Sequence, residues 1–258
     1  MGHVIAIVNQ KGGVGKTTTA VNLSASLAVA EKRCLLVDCD PQGNATTGLG
    51  LDRMGLEKGV YDLLLGPFSS REALTATGLA GLDLLGATSD LIGAEVEIVA
   101  LSEREYLLKR GLAQCRSEYD FILLDCPPSL GFLTINALAA SDSVLVPLQC
   151  EYYALEGITQ LLRTIKAVKQ GLNPSLGIAG ILLTMYDSRN NLSQQVAEEA
   201  RNHFGEMVFK TVIPRNVRLS ESPSHGKPAI LYDIKSTGAQ SYLALAKELI
   251  SRGSTDHG

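Results

Sequence analysis

Asn9-Gln10-Lys11-Gly12-Gly13-Val14-Gly15-Lys16-Thr17-Thr18 follows an apolar run at residues 4–8 and leads at once into a helical pattern at 17–30. This succession of buried strand, glycine-rich loop and helix is the context a phosphate-binding loop requires. Glycines let backbone N–H groups point inward with no Cβ in the way, and a helix start adds favourable partial charge. Lys16 is placed to offset β- and γ-phosphate charge and the Thr17 hydroxyl to hold Mg²⁺, while Thr18 adds a hydrogen bond from the first helical turn. The expected ligand is ATP or ADP with Mg²⁺, cradled by Lys11, Gly12, Gly13, Val14, Gly15, Lys16, Thr17 and Thr18. Gln10 stands where the ordinary pattern of this loop has its first glycine, and Lys11 directly precedes Gly12.

Outward from the loop, short apolar runs recur at 34–37, 82–85, 121–124, 143–147, 178–183 and 208–213. Helical patterns lie between or after them at 103–115, 133–140, 154–169, 192–204 and 239–250. Continuous apolar runs read as strands buried on both faces, and alternation with helices predicts a mostly parallel twisted β-sheet with helices on both faces. In such α/β sheets ligands bind beyond the carboxyl ends of the strands. The polar motifs fall there. Asp38 and Asp40, spaced i and i+2 after the second run, project to one side of an extended chain. Asp125 ends the run Phe121-Ile122-Leu123-Leu124 and is expected to hold Mg²⁺ directly or through a water.

The 258 residues are 45% apolar, enough to bury a sizeable core, and no Pro/Ser-rich linker, charge block or repeat divides them. One domain over 1–258 is expected, ending in a short disordered tail at 253–258, with the Gly-rich stretch at 43–59 a loop holding one turn of helix. A net charge of −4 gives no chain-wide attraction to nucleic acid, so any DNA contact needs a local basic patch. Cys34, Cys39, Cys115, Cys126 and Cys150 are odd in number and lack a Cys-x-x-Cys pair, which suits reduced thiols. A cytoplasmic chain without a cleaved leader is expected.

The sequence Lys11-Gly-Gly-Val-Gly-Lys-Thr17 resembles the deviant Walker A loop of the P-loop NTPase family that includes the ParA, MinD, nitrogenase iron and arsenical pump ATPases. The resemblance implies a nucleotide-sandwich homodimer in which Lys11 reaches the phosphates bound by the other subunit. It also implies that Asp40 orients the attacking water, with Lys11 and Lys16 as the other catalytic groups, while Asp38 supports the Mg²⁺ shell and switch geometry. Further downstream, 126–131, 148–157 and 213–226 are similar to the chromosomal ParA (Soj) proteins over essentially the whole chain. By that similarity Pro214 and Asn216 line the adenine pocket, and Arg189, Arg215, Arg218, Lys227 and Lys235 contact non-specific double-stranded DNA. A ParB-type centromere-binding partner would stimulate hydrolysis, and the protein would be nucleoid-associated. With the loop at residue 11, no N-terminal helix-turn-helix and no operator repression are expected.

Two other readings are open to test. A MinD-like membrane positioner needs a basic amphipathic C-terminal helix. Tyr242, Leu243, Leu245, Ala246, Leu249 and Ile250 make an apolar stripe, but Glu248 nearly balances Lys247 and Arg252. A helix docked on the core, and no stable membrane anchor, is expected. An iron–sulfur reductase would share a cluster through cysteines, yet Cys39 and Cys126 follow the motif aspartates with no glycine-framed loop.

Overall fold

Six of the seven apolar runs are strands of one sheet. The computed structural model describes residues 2–67, 69–151 and 154–255, without the side chains of 154–156, 254 and 255. Tyr152 and Tyr153, within the 148–157 motif, and residues 256–258 of the expected tail lie outside the described residues. The strands are β1 (His3–Ile7), β2 (Cys34–Asp38), β3 (Leu74–Ala76), β4 (Leu82–Leu85), β5 (Phe121–Asp125), β6 (Ser143–Gln149) and β7 (Gly177–Thr184). They lie in the order β3-β4-β2-β5-β1-β6-β7. All neighbours run parallel except the edge strand β3, which pairs antiparallel with β4.

The helices are α1 (Lys16–Val29), α2 (Asn44–Gly48), α3 (Val60–Leu65), α4 (Ser70–Ala73), α5 (Leu91–Ile98) and α6 (Leu107–Leu112). After β5 come α7 (Phe132–Ala140), α8 (Ala154–Gly171), α9 (Asn191–Phe204), α10 (Val217–Glu221), α11 (Ala229–Tyr232) and α12 (Thr237–Thr255). Strand side chains alternate between two cores, as the two-residue period demands. Val4, Ala6, Leu35, Val37, Ile122 and Leu124 pack with α3 and α5 to α9 on one face. Ile5, Ile7, Leu36 and Leu123 pack with α1 and α12 on the other. Sandwiching between two helical layers is why the strands read as unbroken apolar runs.

Tyr242, Leu245, Ala246 and Leu249 of α12 are buried in that second core, with Leu243 and Ile250 packed at its edge. The C-terminal apolar stripe therefore faces α1 and the sheet. Among the described residues no helix is long and apolar enough to cross a membrane. The helix α12 continues to Thr255, into the stretch expected to be a tail.

Two expectations are corrected by side chains acting at a distance. Residues 208–213 run beside β7 but bridge it only at Ile181 with Val208, and just beyond them Pro214 bridges Tyr186. The Glu248 carboxylate of α12 accepts from the Lys210 and Thr211 N–H groups at 2.8 and 2.9 Å, drawing away donors a strand would keep for its ladder. The helix expected over 103–115 is broken. Glu103 sits in the left-handed region at φ 50°, and the Asn136 amide of α7 donates to the Arg104 carbonyl (2.7 Å) and accepts from the Leu108 N–H (3.1 Å). Those two backbone groups would bond to each other in a continuous helix.

Candidate active site

The parallel register brings the motif aspartates together. Asp38 and Asp125 are paired neighbours at the ends of β2 and β5, and Ile7 of β1 pairs with Asp125 on its other side. The loop that leaves β1 therefore rises beside both carboxylates. Its geometry is fixed from below: Asn9 donates to the Pro147 carbonyl (2.7 Å) and accepts from the Lys11 N–H (3.0 Å), and Thr184 donates to the Val14 carbonyl (2.8 Å).

Gly13 and Gly15 adopt φ of 76° and 90°, a left-handed backbone that a side chain would strain. A Cβ built on Gly12 or Gly13 would meet no protein atom within 4 Å, so the open space they face is free for a ligand. The helix α1 starts at Lys16 with no side-chain cap and no acid in its first turn. Its first N–H groups and the positive end of its dipole are left for an anion. Lys16 is only 6% exposed and donates to the Lys11 carbonyl at 3.0 Å. Burial pushes its ammonium below the ordinary lysine pKa, and the Asp125 and Asp40 carboxylates push it back up.

Asp125 is fully buried, and among the described residues its carboxylate oxygens have no close hydrogen-bond partner beyond the Thr17 hydroxyl beside them. Burial, then the neighbouring Asp38, raises its pKa well above the carboxylate range, offset by the Thr17 hydroxyl and more weakly by Lys16. An orphaned buried carboxylate beside a threonine hydroxyl suits a hard cation. Among the described residues no three His, Cys, Asp or Glu side chains form a metal cluster. Mg²⁺ is held by one or two protein oxygens and completed by phosphates and water.

Asp38 is differently placed. One oxygen accepts from the Thr46 N–H (2.8 Å) and hydroxyl (2.7 Å) at the start of α2, and the other from the Asp40 N–H (3.3 Å). Burial raises its pKa to about 6 against those hydrogen bonds. Its oxygens already hold the loop that carries Asp40. Asp40 itself is buried at the mouth of the cleft, and one of its oxygens accepts from the Gln42 N–H (2.9 Å).

Lys11 differs sharply from Lys16. Its side chain is 52% exposed, and its ammonium is ion-paired with Glu151. Cys39 and Cys126, the residues after Asp38 and Asp125, are buried thiols whose pKa values burial raises.

Next to the loop, a cavity of about 440 Å³ is lined by Gly15, Thr18, Pro214, Arg215, Asn216 and Tyr242, among others. Its size and its continuity with the phosphate loop suit a nucleoside. The Asn216 amide oxygen caps α10 through the Arg218 and Leu219 N–H groups, and its nitrogen donates to the Thr237 hydroxyl (2.8 Å). Capping fixes the side chain in place and leaves one amide hydrogen for a ligand. Met185, also lining the cavity, holds φ of 50°, a strained position of the kind found at ligand sites.

The five basic candidates are exposed. Arg189 precedes α9 and is held by both oxygens of Asp187. Arg218 pairs with Glu221 and Asp233, while Lys227 and Lys235 lie on the segments flanking α11. Arg215 lines the nucleoside cavity.

The chain matches the AAA domain family over residues 2–178. It is 60% identical to the chromosome partitioning protein ParA of Myxococcus xanthus, covering 98% of this chain and 89% of that protein. It is 58% identical to the sporulation initiation inhibitor protein Soj of Bacillus subtilis, covering 98% and 100%. The chain belongs to the ParA/Soj family of chromosome-partitioning ATPases. Among solved structures, cobyrinic acid a,c-diamide synthase from Mycobacterium smegmatis with bound ADP and magnesium superposes with a TM-score of 0.87. The two share 41% identity, with 99% of this chain and 97% of that one covered.

One positioning residue of this ParA/Soj-family site is absent from the sequence reading. Arg53 donates to four backbone carbonyls: Pro41 (2.7 Å), Gln42 (2.6 Å), Ala87 (3.0 Å) and Thr88 (3.2 Å). It clamps the loop directly after Asp40 to the loop after β4, lying over Gly43, where a Cβ would collide with it. Arg53→Met keeps the stem and removes the clamp. ATP turnover is expected to fall on the order of tenfold to a hundredfold with ADP affinity unchanged, since misplacement near 1 Å is that damaging. Steady-state hydrolysis alongside fluorescent-ADP titration checks this, and an unchanged turnover number rules the clamp out as a positioning device.

Proposed function

We propose that this chain is a DNA-partitioning ATPase in which bound ATP closes a sandwich homodimer, the dimer binds duplex DNA without sequence preference, and hydrolysis releases it. The observation that carries this reading is the contrast between two lysines of one loop. Lys16 is buried in the cleft, whereas Lys11 stands half-exposed at its rim, ion-paired with Glu151. A lysine so placed is available to phosphates held by a facing subunit, as an arginine finger is.

In this reading the α1 N–H groups and Lys16 bind the phosphates, while Thr17 and Asp125 hold Mg²⁺, which neutralises phosphate charge when bound. Asp40 accepts the proton of the attacking water, and Asp38 keeps Asp40 in place through Thr46 and its own backbone contact. Pro214 offers the base a flat apolar contact and Asn216 a donor.

Arg189, Arg215, Arg218, Lys227 and Lys235 supply the DNA contacts. Exposed ion pairs such as Arg218 with Glu221 are worth only about 0–1 kcal/mol, so a DNA phosphate can displace the carboxylate. One weak patch per subunit becomes avid when two are joined, which makes DNA binding a readout of ATP. A ParB-type centromere-binding protein is the proposed stimulator, and the nucleoid the site of action.

DNA binding measured with ATP, with ADP and without nucleotide tests the switch. The wild type is expected to bind tightly only with ATP. Arg218→Glu is expected to lose about tenfold or more in affinity and to lower the salt slope by about one or two, while still dimerising with ATP. Equal binding in all three nucleotide states overturns the reading.

A further inference from the structure

Ile92, Val96, Val99 and Leu101 are 67%, 78%, 50% and 41% exposed. The first three stand at i, i+4 and i+7, so α5 and its C-terminal extension carry one apolar stripe toward solvent. The opposite side of the same helix, Leu91, Ala94 and Ile98, is fully buried in the first core, beside α3 and α7. Single exposed apolar residues are ordinary, but a helix that is apolar on both faces has a second surface to cover.

The stripe is edged mostly by acids. Residues 89–101 contain Asp90, Glu95 and Glu97 and no Lys, Arg or His. Arg104 and Arg110, the arginines that follow in sequence, are paired with Glu105 and Glu103; Arg104 also donates to the Val99 carbonyl (2.6 Å), so one cation stands at the C-terminal end of the stripe against three acids.

We propose that this face of α5 docks a partner protein presenting a basic amphipathic helix, with apolar side chains along one face and Lys or Arg at its edges. Complementary charge with apolar anchors at i, i+4 and i+7 is how a helix is recognised by such a surface. A second copy of this chain does not fit. A two-fold contact would set Asp90, Glu95 and Glu97 against themselves. The same acids repel nucleic acid and anionic lipid.

The surface is also one side chain from the loop that follows Asp125. Glu95 accepts from the Leu133 N–H (3.4 Å) and lies over Gly131, where any Cβ would collide with its carboxylate. Gly131 ends the loop that leaves β5 after Asp125. A partner that shifts α5 thereby presses on the segment behind the proposed Mg²⁺ ligand. The docking surface itself does not depend on the partitioning reading.

The test uses the full chain and a designed 18-residue peptide with leucines on one helical face and lysines elsewhere. Its controls are a scrambled peptide of the same composition and one with glutamate for lysine. By fluorescence anisotropy at moderate salt, the amphipathic peptide is expected to bind about tenfold tighter than the scrambled one, and the acidic peptide not at all. Ile92→Ser/Val96→Ser is expected to weaken it about tenfold, and Asp90→Asn/Glu97→Gln about threefold with a shallower salt dependence. These variants change exposed side chains, and thermal unfolding checks that they fold. Hydrogen exchange of the bound wild type is expected to slow within 89–103.

Unchanged affinity in both variants, or protection confined to other segments, overturns the proposal. So does self-association of the wild type that the Ile92→Ser/Val96→Ser variant loses, because a second copy would then be the occupant. None of these readouts uses hydrolysis, so failure here is distinguishable from failure of the proposed ATPase cycle.

Discussion

Lys16→Ala is expected to lose ATP and ADP affinity by about 30- to 5,000-fold, the range for removing one partner of a buried charge pair worth about 2–5 kcal/mol. Lys16 is the only cation among the buried described residues, and it sits between Asp40 and Asp125 in a cleft otherwise supplied with backbone N–H groups. Phosphate charge arriving there has no substitute partner. The variant should also be a less stable apoprotein, because Asp125 loses a neighbour that offsets its burial. Adding Mg²⁺ and ATP should then raise the unfolding temperature of the wild type and leave the variant unmoved, since a ligand stabilises only what it binds. Lys16→Arg serves as control: it keeps the charge but fills the cleft differently and should recover only part of the affinity. A Lys16→Ala affinity within threefold of wild type would mean that the loop is not the phosphate site.

What could be read from the sequence was set by how local each interaction is. The phosphate loop is legible because its chemistry lies within ten consecutive residues whose φ values, helix start and lysine all serve one ligand. The aspartates are legible for a related reason: parallel strands buried on both faces must deliver whatever follows them to one edge, and Asp38 and Asp125 arrive there as paired neighbours. Arg53 carries no such signal. Its four carbonyl partners come from residues 41–42 and 87–88, and only the fold brings those two loops under one guanidinium.

The same distinction accounts for the mistaken elements. Periodicity marks 103–115 as helical, and a single amide from α7 takes the two backbone groups that the middle of that helix needed. Apolar content marks 208–213 as a strand, and the Glu248 carboxylate lifts its centre off β7. In both places a polar side chain remote in sequence outbids a local preference that favours regular structure only weakly. Asp38, expected to support the Mg²⁺ shell and switch geometry, has its oxygens engaged by Thr46 and the Asp40 backbone. Those contacts hold the residue proposed to act on water, which is the switch-geometry part of that expectation.

Lys11→Ala is expected to bind ATP within a few-fold of wild type yet hydrolyse it about 10²–10³-fold more slowly, the usual loss when one preorganised group facing transition-state charge is removed. Its half-exposed side chain contributes little to the cradle of its own subunit, so ground-state binding has little to lose. Glu151→Gln should act in the opposite sense. Releasing both Lys11 side chains of a dimer from partly exposed ion pairs worth about 0.2–1 kcal/mol each should lower the protein concentration needed for ATP-dependent dimerisation by roughly 2- to 30-fold. Combined with Lys11→Ala it should change nothing, because Glu151 acts only through that lysine. A mixing experiment separates action across the dimer from action within one subunit. Asp40→Asn retains Lys11 but cannot activate water; Lys11→Ala retains Asp40 but lacks the reaching lysine. Each alone should be nearly inactive. Equal amounts together should recover about a quarter of the wild-type rate, since half the dimers are mixed and each mixed dimer has one complete site. Recovery requires that Lys11 of one subunit serve the Asp40 site of the other. If the mixture is no more active than its two components measured apart, the lysine works on its own nucleotide and the sandwich dimer is not the catalytic unit.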